Sequence, residues 1–217
     1  SLDLYQLLKP CQSLFKLSKM KQPDLENFVG IHNRKYCDGG QCIRLYKTFM
    51  KKKDPEAANI VMGHNEEDLL GLGTIFSLLA YKKLYDGEYH PKQCVILEQE
   101  LKIVIELSAA APVNVSCGNS DFYLSVNGYE ARMLVHLKEG KLRQYYRNYK
   151  DYEFIPGEDT AMPKSITRYM DKSLKIATTP QTCYTWFNCD EDFLNNEKKQ
   201  MQYLTHTLPF FLDNLNK

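Results

Sequence analysis

His64 and Asp68 have the strongest claim on chemistry in this chain. They stand four residues apart, which puts them on one side of a helix, one turn from each other. Asp68, Leu72, Ile75 and Leu79 follow at steps of four, three and four, one face of an α-helix. A carboxylate therefore heads a stripe that should be buried. Burying an ionised carboxylate alone costs several kcal/mol, so Asp68 needs a cation, a hydrogen-bond network or a metal. Phosphoryl transfer by two metal ions uses several carboxylates and a group that orients or deprotonates the attacking water. A histidine followed one turn later by an aspartate supplies one of each. A capped helix start with Asp68 half-exposed satisfies the same spacing, which leaves both readings open.

A second constellation interleaves basic and aromatic residues: Lys141, Arg143, Tyr145, Tyr146, Arg147, Tyr149 and Lys150, followed by Tyr152. Such a surface holds phosphates and stacks unpaired bases, at roughly 1–3 kcal/mol per stack. Ordinary strand patterning, with tyrosines inward and basic groups outward, gives the same string. In Pro156–Ser165, Asp159 or Thr160 is expected to cap a helix over Thr160–Lys172 with Pro163 in its first turn, and Lys164 to lie at the surface. His32, Cys37 and Cys42, with Cys11 as a further thiol, lack the close cysteine pairs of zinc sites and read as incidental. Gly71-Leu72-Gly73 follows no strand and lacks a third glycine, so it reads as room for close helix packing.

The elements that must position these groups change character along the chain. Residues 1–90 read as helical. Leu4, Leu7, Leu8 and Cys11 form a short stripe broken at Pro10. A helix follows Pro23 with Leu25, Phe28 and Val29 as its apolar face. Another spans Cys42–Lys51 with Ile43, Tyr46 and Met50 inward. Asp54 is an N-cap and Pro55 a first helical residue. One helix is expected over Glu56–Met62 and another over about Asn65–Tyr85. Asp86–Pro91 carries a turn dipeptide and a proline, and the period changes after it, so the domain boundary falls there: 1–90 helical, 91–217 antiparallel and β-rich. Strands are expected within 94–109 and over Val113–Cys117, Asp121–Val126, Tyr129–Leu137, Lys141–Arg147, Tyr152–Ile155 and Thr182–Phe187. Asn127-Gly128 and Glu139-Gly140 read as hairpin turns. A C-terminal helix carries Met201, Leu204 and Leu208 and is cut by Pro209. The fold class is α+β.

Composition excludes more than it assigns. With 43% hydrophobic and 25% charged residues, the chain is not a disordered tail. Its net charge of +1 gives no global attraction to nucleic acid or membrane, so any such binding uses a local patch. No long apolar run suggests a membrane span and no signal-peptide pattern appears, so a cytoplasmic setting is expected, with the seven cysteines as reduced thiols.

Leu2-Asp3-Leu4-Tyr5, the segment Leu25–Ile31, Asp38-Gly39-Gly40 with Tyr46, and His64–Leu69 resemble, in order and spacing, the C-terminal half of the YprB-type ribonuclease H-like domain of the DEDD exonuclease superfamily. The resemblance covers about residues 1–85. It implies a metal-dependent 3′–5′ exonuclease that uses Mg²⁺ or Mn²⁺. In such enzymes the last metal-binding aspartate lies on a helix, preceded by a tyrosine or histidine that orients the attacking water. By that likeness Asp68 is the metal ligand and His64 the water-orienting residue or general base. The family's opening strand with its Asp-x-Glu pair, and its next aspartate motif, do not precede Asp3 here, and one aspartate does not hold two Mg²⁺ ions. The chain is accordingly expected to be inactive on its own and to hold no metal. The alternative is a non-enzymatic nucleic-acid- or protein-binding module. Single-stranded nucleic acid is the expected partner, no membrane is, and an exposed face of the half-domain invites self-association.

Overall fold

The computed structural model describes residues 3–32, 34–36 and 39–215. The chain divides into two compact units, residues 1–79 and 80–217. Helices precede sheets, so the architecture is α+β as the periodicity indicates.

The first unit is helical. Helix α1 (Leu4–Leu8) starts at Asp3, whose side chain accepts the Gln6 N–H at 3.2 Å. Pro10 falls in a 3₁₀ turn between α1 and α2 (Gln12–Phe15). Helix α3 (Gln22–Phe28) opens with Pro23 in its first turn, and the Asp24 carboxylate accepts the Lys21 N–H at 3.0 Å. Helix α4 (Gly39–Lys52) ends on two lysines, where cations suit the helix dipole. Helix α5 (Pro55–Ile75) has the anticipated Asp54 cap, which accepts the Glu56 N–H at 3.0 Å.

Two expectations fail in this unit. The helices expected on either side of Gly63 are one 21-residue helix, because the ring of Tyr36 lies against Gly63 and offsets the usual helix cost of glycine. The stripe of Ile43, Tyr46 and Met50 exists at helical spacing, but it is not inward. These residues are 60%, 52% and 51% exposed, and no residue of α4 is buried. Periodicity marks the face that can be buried, not whether anything buries it.

The second unit begins at helix α6 (Leu79–Asp86) and is built on an antiparallel sheet of β1 (Tyr89–Leu97), β2 (Glu100–Gly118) and β3 (Phe122–His136), in that order. The single strand expected within 94–109 is a hairpin turning at Glu98-Gln99. Its turn uses Glu98 at φ 56, a left-handed conformation that no glycine announces. Pro91 sits on the edge strand beside a bulge, where a missing N–H breaks no central ladder.

Asn127-Gly128 is not a hairpin turn. It lies inside β3, with Gly128 at φ 54, opposite an irregular stretch of β2 in which Ala111 pairs with Gly128 and Val115 with Val126, so the surplus residues belong to β2. Before it the buried residues of β3 are Phe122, Leu124 and Val126; after it they are Ala131, Met133 and Val135. The distorted backbone around Gly128 switches the buried set from even to odd positions and keeps one face on the core. Opposite this irregular stretch, the fully buried Tyr81 donates its O–H to the Val113 carbonyl and accepts the Val113 N–H at 3.2 Å.

The Glu139-Gly140 turn forms, closed by Lys138 and Lys141, which exchange backbone hydrogen bonds of 3.1 and 3.0 Å. The strand after it, β4 (Lys141–Tyr145), leaves the first sheet. A second small sheet, β5 (Tyr152–Ile155) with β6 (Thr160–Pro163) and β7 (Ile176–Ala177), overturns the helix expected over Thr160–Lys172. Thr160–Pro163 pairs with β5 and buries Ala161, and only α7 (Lys164–Thr167) is helical. Pro163 is tolerated because β6 is an edge strand. Asp159 caps no helix and instead turns the chain at φ 49. Strand β8 (Tyr184–Asn188) is the partner of β4.

After α8 (Glu191–Leu194), helix α9 (Glu197–Asp213) runs through Pro209 rather than ending there. The helix survives the missing N–H because the residues around it are held by packing. Phe211 stacks on Phe122 at 4.0 Å, and Phe210 on Tyr145 at 3.7 Å. Among the described residues, no helix is long and apolar enough to cross a membrane.

Candidate functional site

Asp68 lies in the second half of α5 with a third of its side chain exposed. His64, buried at 9% exposure, turns its Nδ1 toward Asp68 Oδ2 at 3.2 Å. The structure thus brings the two candidate residues together. The stronger partner is one that spacing along α5 cannot show. Arg34, in the segment after α3, donates from one terminal nitrogen to Asp68 Oδ1 at 2.7 Å. With its other terminal nitrogen and Nε it grips both oxygens of Glu26, each at 2.7 Å.

Glu26 is only 2% exposed, and its place is set by α3 packing on α5. Gln22, one turn earlier on α3, donates to Glu26 Oε1 at 2.8 Å and to the Asp68 carbonyl at 2.9 Å. Gly71 makes room for this arrangement: a Cβ there would fall 1.9 Å from Glu26 Oε1. Gly73 faces open space, so only the first glycine of the pair serves close packing. Glu67 accepts the backbone N–H groups of Lys35 and Tyr36 at 2.9 and 3.3 Å. Together with the Tyr36 ring on Gly63, these contacts strap the Arg34–Tyr36 segment along α5.

The electrostatics follow from this geometry. Burial alone would raise the Glu26 carboxyl, but hydrogen bonds from Arg34 and Gln22 and the guanidinium charge outweigh it and hold Glu26 below the ordinary carboxylate range. Arg34 is held still more firmly protonated, first by its hydrogen bonds to Glu26 and then by Asp68. The fork of Arg34 matches two carboxylates at once, which a lysine would not do.

The family resemblance implies a divalent metal at Asp68. The described residues around Asp68 do not by themselves fit one. Both of its oxygens are engaged, Oδ1 by Arg34 and Oδ2 by His64. Glu26 is bound to the same guanidinium, and Glu67 to backbone N–H groups. Among the described residues no three His, Cys, Asp or Glu side chains are grouped to hold a metal ion. Arg34 supplies the positive charge that Asp68 and Glu26 require. Cys37 of the weak His/Cys grouping lies outside the described residues.

The basic and aromatic residues after Lys141 are not all presented to solvent. Tyr145 is buried and stacked on Phe210. Tyr146 stacks on Tyr152 at 5.2 Å and leans on His206. Arg143 lies over the rings of Tyr184 and Trp186, at 4.6 and 4.7 Å from their centroids. Arg147 covers Tyr85 and pairs with Asp213 at 3.7 Å. Lys141 and Lys150 are exposed, and Tyr149 is half-buried.

Sequence reasoning missed Glu26 and Arg34. The available signal was Gly71, three residues past Asp68 on the same helix, which marks a close approach from another element. On the same unit, an open depression of about 490 Å³ is lined mainly by Leu4, Met20, Leu25, Leu72, Ile75 and Phe76.

Comparison with known proteins bears on the first unit. Residues 1–80 match the model of a family described as belonging to the RNase_H superfamily. No curated protein matches the chain. No solved structure matches it either. The stretch that carries Glu26, Arg34, His64 and Asp68 is thus similar to a ribonuclease H-like domain.

Proposed function

We propose that this chain serves nucleic-acid processing of the metal-dependent 3′–5′ exonuclease type, with its first unit forming one wall of the site. The observation that carries the reading is the His64–Asp68 pair, Nδ1 to Oδ2 at 3.2 Å on α5, inside the stretch similar to a ribonuclease H-like domain. Asp68 is the residue that would contribute to a Mg²⁺ or Mn²⁺ site, and His64 the one that would orient or deprotonate water. As it stands, Asp68 has its Oδ1 held by Arg34, which it shares with Glu26, and its Oδ2 beside His64. The chain by itself is then expected to bind nucleic acid without cleaving it. A cytoplasmic setting suits the thiols of Cys94, Cys183 and Cys189, which burial holds at about 12, 11 and 11, far from reactive thiolates.

A second reading, a non-enzymatic binding module, draws on the apolar residues left exposed on the first unit. Besides Ile43, Tyr46 and Met50, they include Met62, Leu69 and Leu70, the last three near 70% exposed. This is the surface through which the chain would self-associate.

Fluorescence anisotropy with labelled single-stranded DNA and RNA tests the main reading. Binding should weaken as salt rises. Arg147→Glu and Lys150→Glu should weaken it further and flatten the salt dependence. No binding of either strand at low salt would overturn it. Light scattering separates the module reading: growth in mass with concentration supports self-association, and a monomer throughout excludes it.

A further inference from the structure

The second unit contains a cavity that none of the nuclease reasoning uses. It measures about 240 Å³ and lies between β3, β4, β8 and α9. Arg143, Lys138 and His136 line it together with Trp186, Phe211 and Asp121. Its volume falls below the roughly 300–1,000 Å³ of pockets for drug-sized ligands, so it suits a small molecule.

Arg143 is held as a fixed cation. Its guanidinium lies 4.6 Å from the Tyr184 ring and 4.7 Å from the Trp186 ring. Those two rings are themselves anchored. The Tyr184 O–H donates to Asp159 Oδ1 at 2.5 Å, and the Trp186 N–H donates to the Asp159 carbonyl at 2.9 Å. Asp159 sits in its left-handed turn to make both contacts. It is therefore occupied with the rings, although its charge is felt at Arg143. The Arg143 guanidinium hydrogen-bonds Tyr145, while its Nε–H is buried with no hydrogen-bond partner. A second cation, Lys138, stands 5.5 Å from the Trp186 ring. Two cations on an aromatic and apolar wall, one of them pre-oriented by stacking and with an Nε–H still to satisfy, form an arrangement suited to a multi-oxygen anion such as a phosphate. Asp121, which also lines the cavity, would repel a second negative group and accept a hydroxyl.

We propose that this cavity binds a phosphate monoester, with Arg143 and Lys138 on the phosphate and Trp186 and Phe211 against the organic part. The ester has two sources, a free mononucleotide-like metabolite or the phosphorylated end of a nucleic acid strand. The inference stands apart from the reading of Asp68, since every residue it uses lies in the second unit.

Trp186 is the single tryptophan of the chain, so the emission comes from one ring, which lines this cavity. The full chain would be titrated with inorganic phosphate, a 5′-mononucleotide and glycerol. Saturable change with phosphate and the mononucleotide, and none with glycerol, is expected. Arg143→Met and Lys138→Gln should each weaken binding by about tenfold or more, as befits loss of a charged hydrogen bond. Lys138 is exposed, so its variant keeps the test sound if Arg143→Met fails to fold. Displacement of the mononucleotide by a 5′-phosphorylated oligonucleotide, but not by its 5′-hydroxyl form, assigns the site to strand ends. Mononucleotide binding that neither oligonucleotide disturbs assigns it to a free metabolite. No saturable change with either phosphate compound, or binding undiminished in Lys138→Gln, overturns the proposal.

Discussion

Replacing Arg34 by methionine strands the Glu26 carboxylate, and the cost can be worked from its surroundings. Glu26 loses two 2.7 Å hydrogen bonds and its counter-charge, and keeps only Gln22 at 2.8 Å. Its 2% exposure leaves little water to compensate. Removing one partner of a buried pair costs about 3–5 kcal/mol. The arm to Asp68 adds less than about 1 kcal/mol, because that carboxylate is a third exposed. The first unit should therefore lose about 3–5 kcal/mol at neutral pH. The loss should shrink in acid, where Glu26 takes a proton. Pairing the change with Glu26→Gln removes the stranded charge, so the double variant should recover about 2 kcal/mol or more of the loss. Urea unfolding followed by far-ultraviolet circular dichroism measures the totals. Hydrogen exchange over Gln22–Phe28 places the effect on α3. An Arg34→Met variant within about 1 kcal/mol of the parent, or a double variant no more stable than Arg34→Met, would refute the reasoning.

Gly71→Ala should destabilise the first unit, since a Cβ 1.9 Å from Glu26 Oε1 breaks the grip of Arg34, whereas Gly73→Ala, in open space, should stabilise it by about 0.5–1 kcal/mol; melting temperatures decide both. The folded-state pKa of Glu26 is lowered from 4.5, so its contribution is complete above that pH and is lost as pH falls through the lowered value. Stability measured between pH 6 and 3 should therefore fall below about 4.5 more steeply for the parent than for Glu26→Gln. Gly128→Ala forces a side chain into φ 54 and should cost about 1–2 kcal/mol by denaturant midpoint, even though space is free around it.

The sequence carried the class of the fold and the helical setting of Asp68, because periodicity, the Asp54 cap and turn residues are local signals. It did not carry the partner of Asp68. Arg34 meets Asp68 and Glu26 only after α3 and α5 pack, and an arginine in a loop looks like any solvated cation. Asn127-Gly128 shows the same limit from the other side. A glycine fit for positive φ serves a hairpin or an irregularity within one strand equally well, and the pairing of β3 with β2 on both sides of Gly128 decides against the hairpin. Thr160–Pro163 looked like a helix start because a proline after polar residues suits a first turn. Pairing with β5 overrode that preference. Arg143 was legible as a basic residue among aromatics, but its fixed stack on Tyr184 and Trp186 depends on β4 and β8 lying side by side.

The proposal at stake is that Asp68 would serve a metal-dependent nuclease site, although among the described residues no further carboxylates are grouped with it to hold a metal. The most direct measurement is hydrolysis of end-labelled single-stranded DNA and RNA by the chain and by Asp68→Ala, each with Mg²⁺ and with Mn²⁺. The expected result is binding of the strands with no cleavage above background by either protein. Clear 3′–5′ cleavage by the parent chain, abolished in Asp68→Ala, would show that the site is complete and contradict the claim.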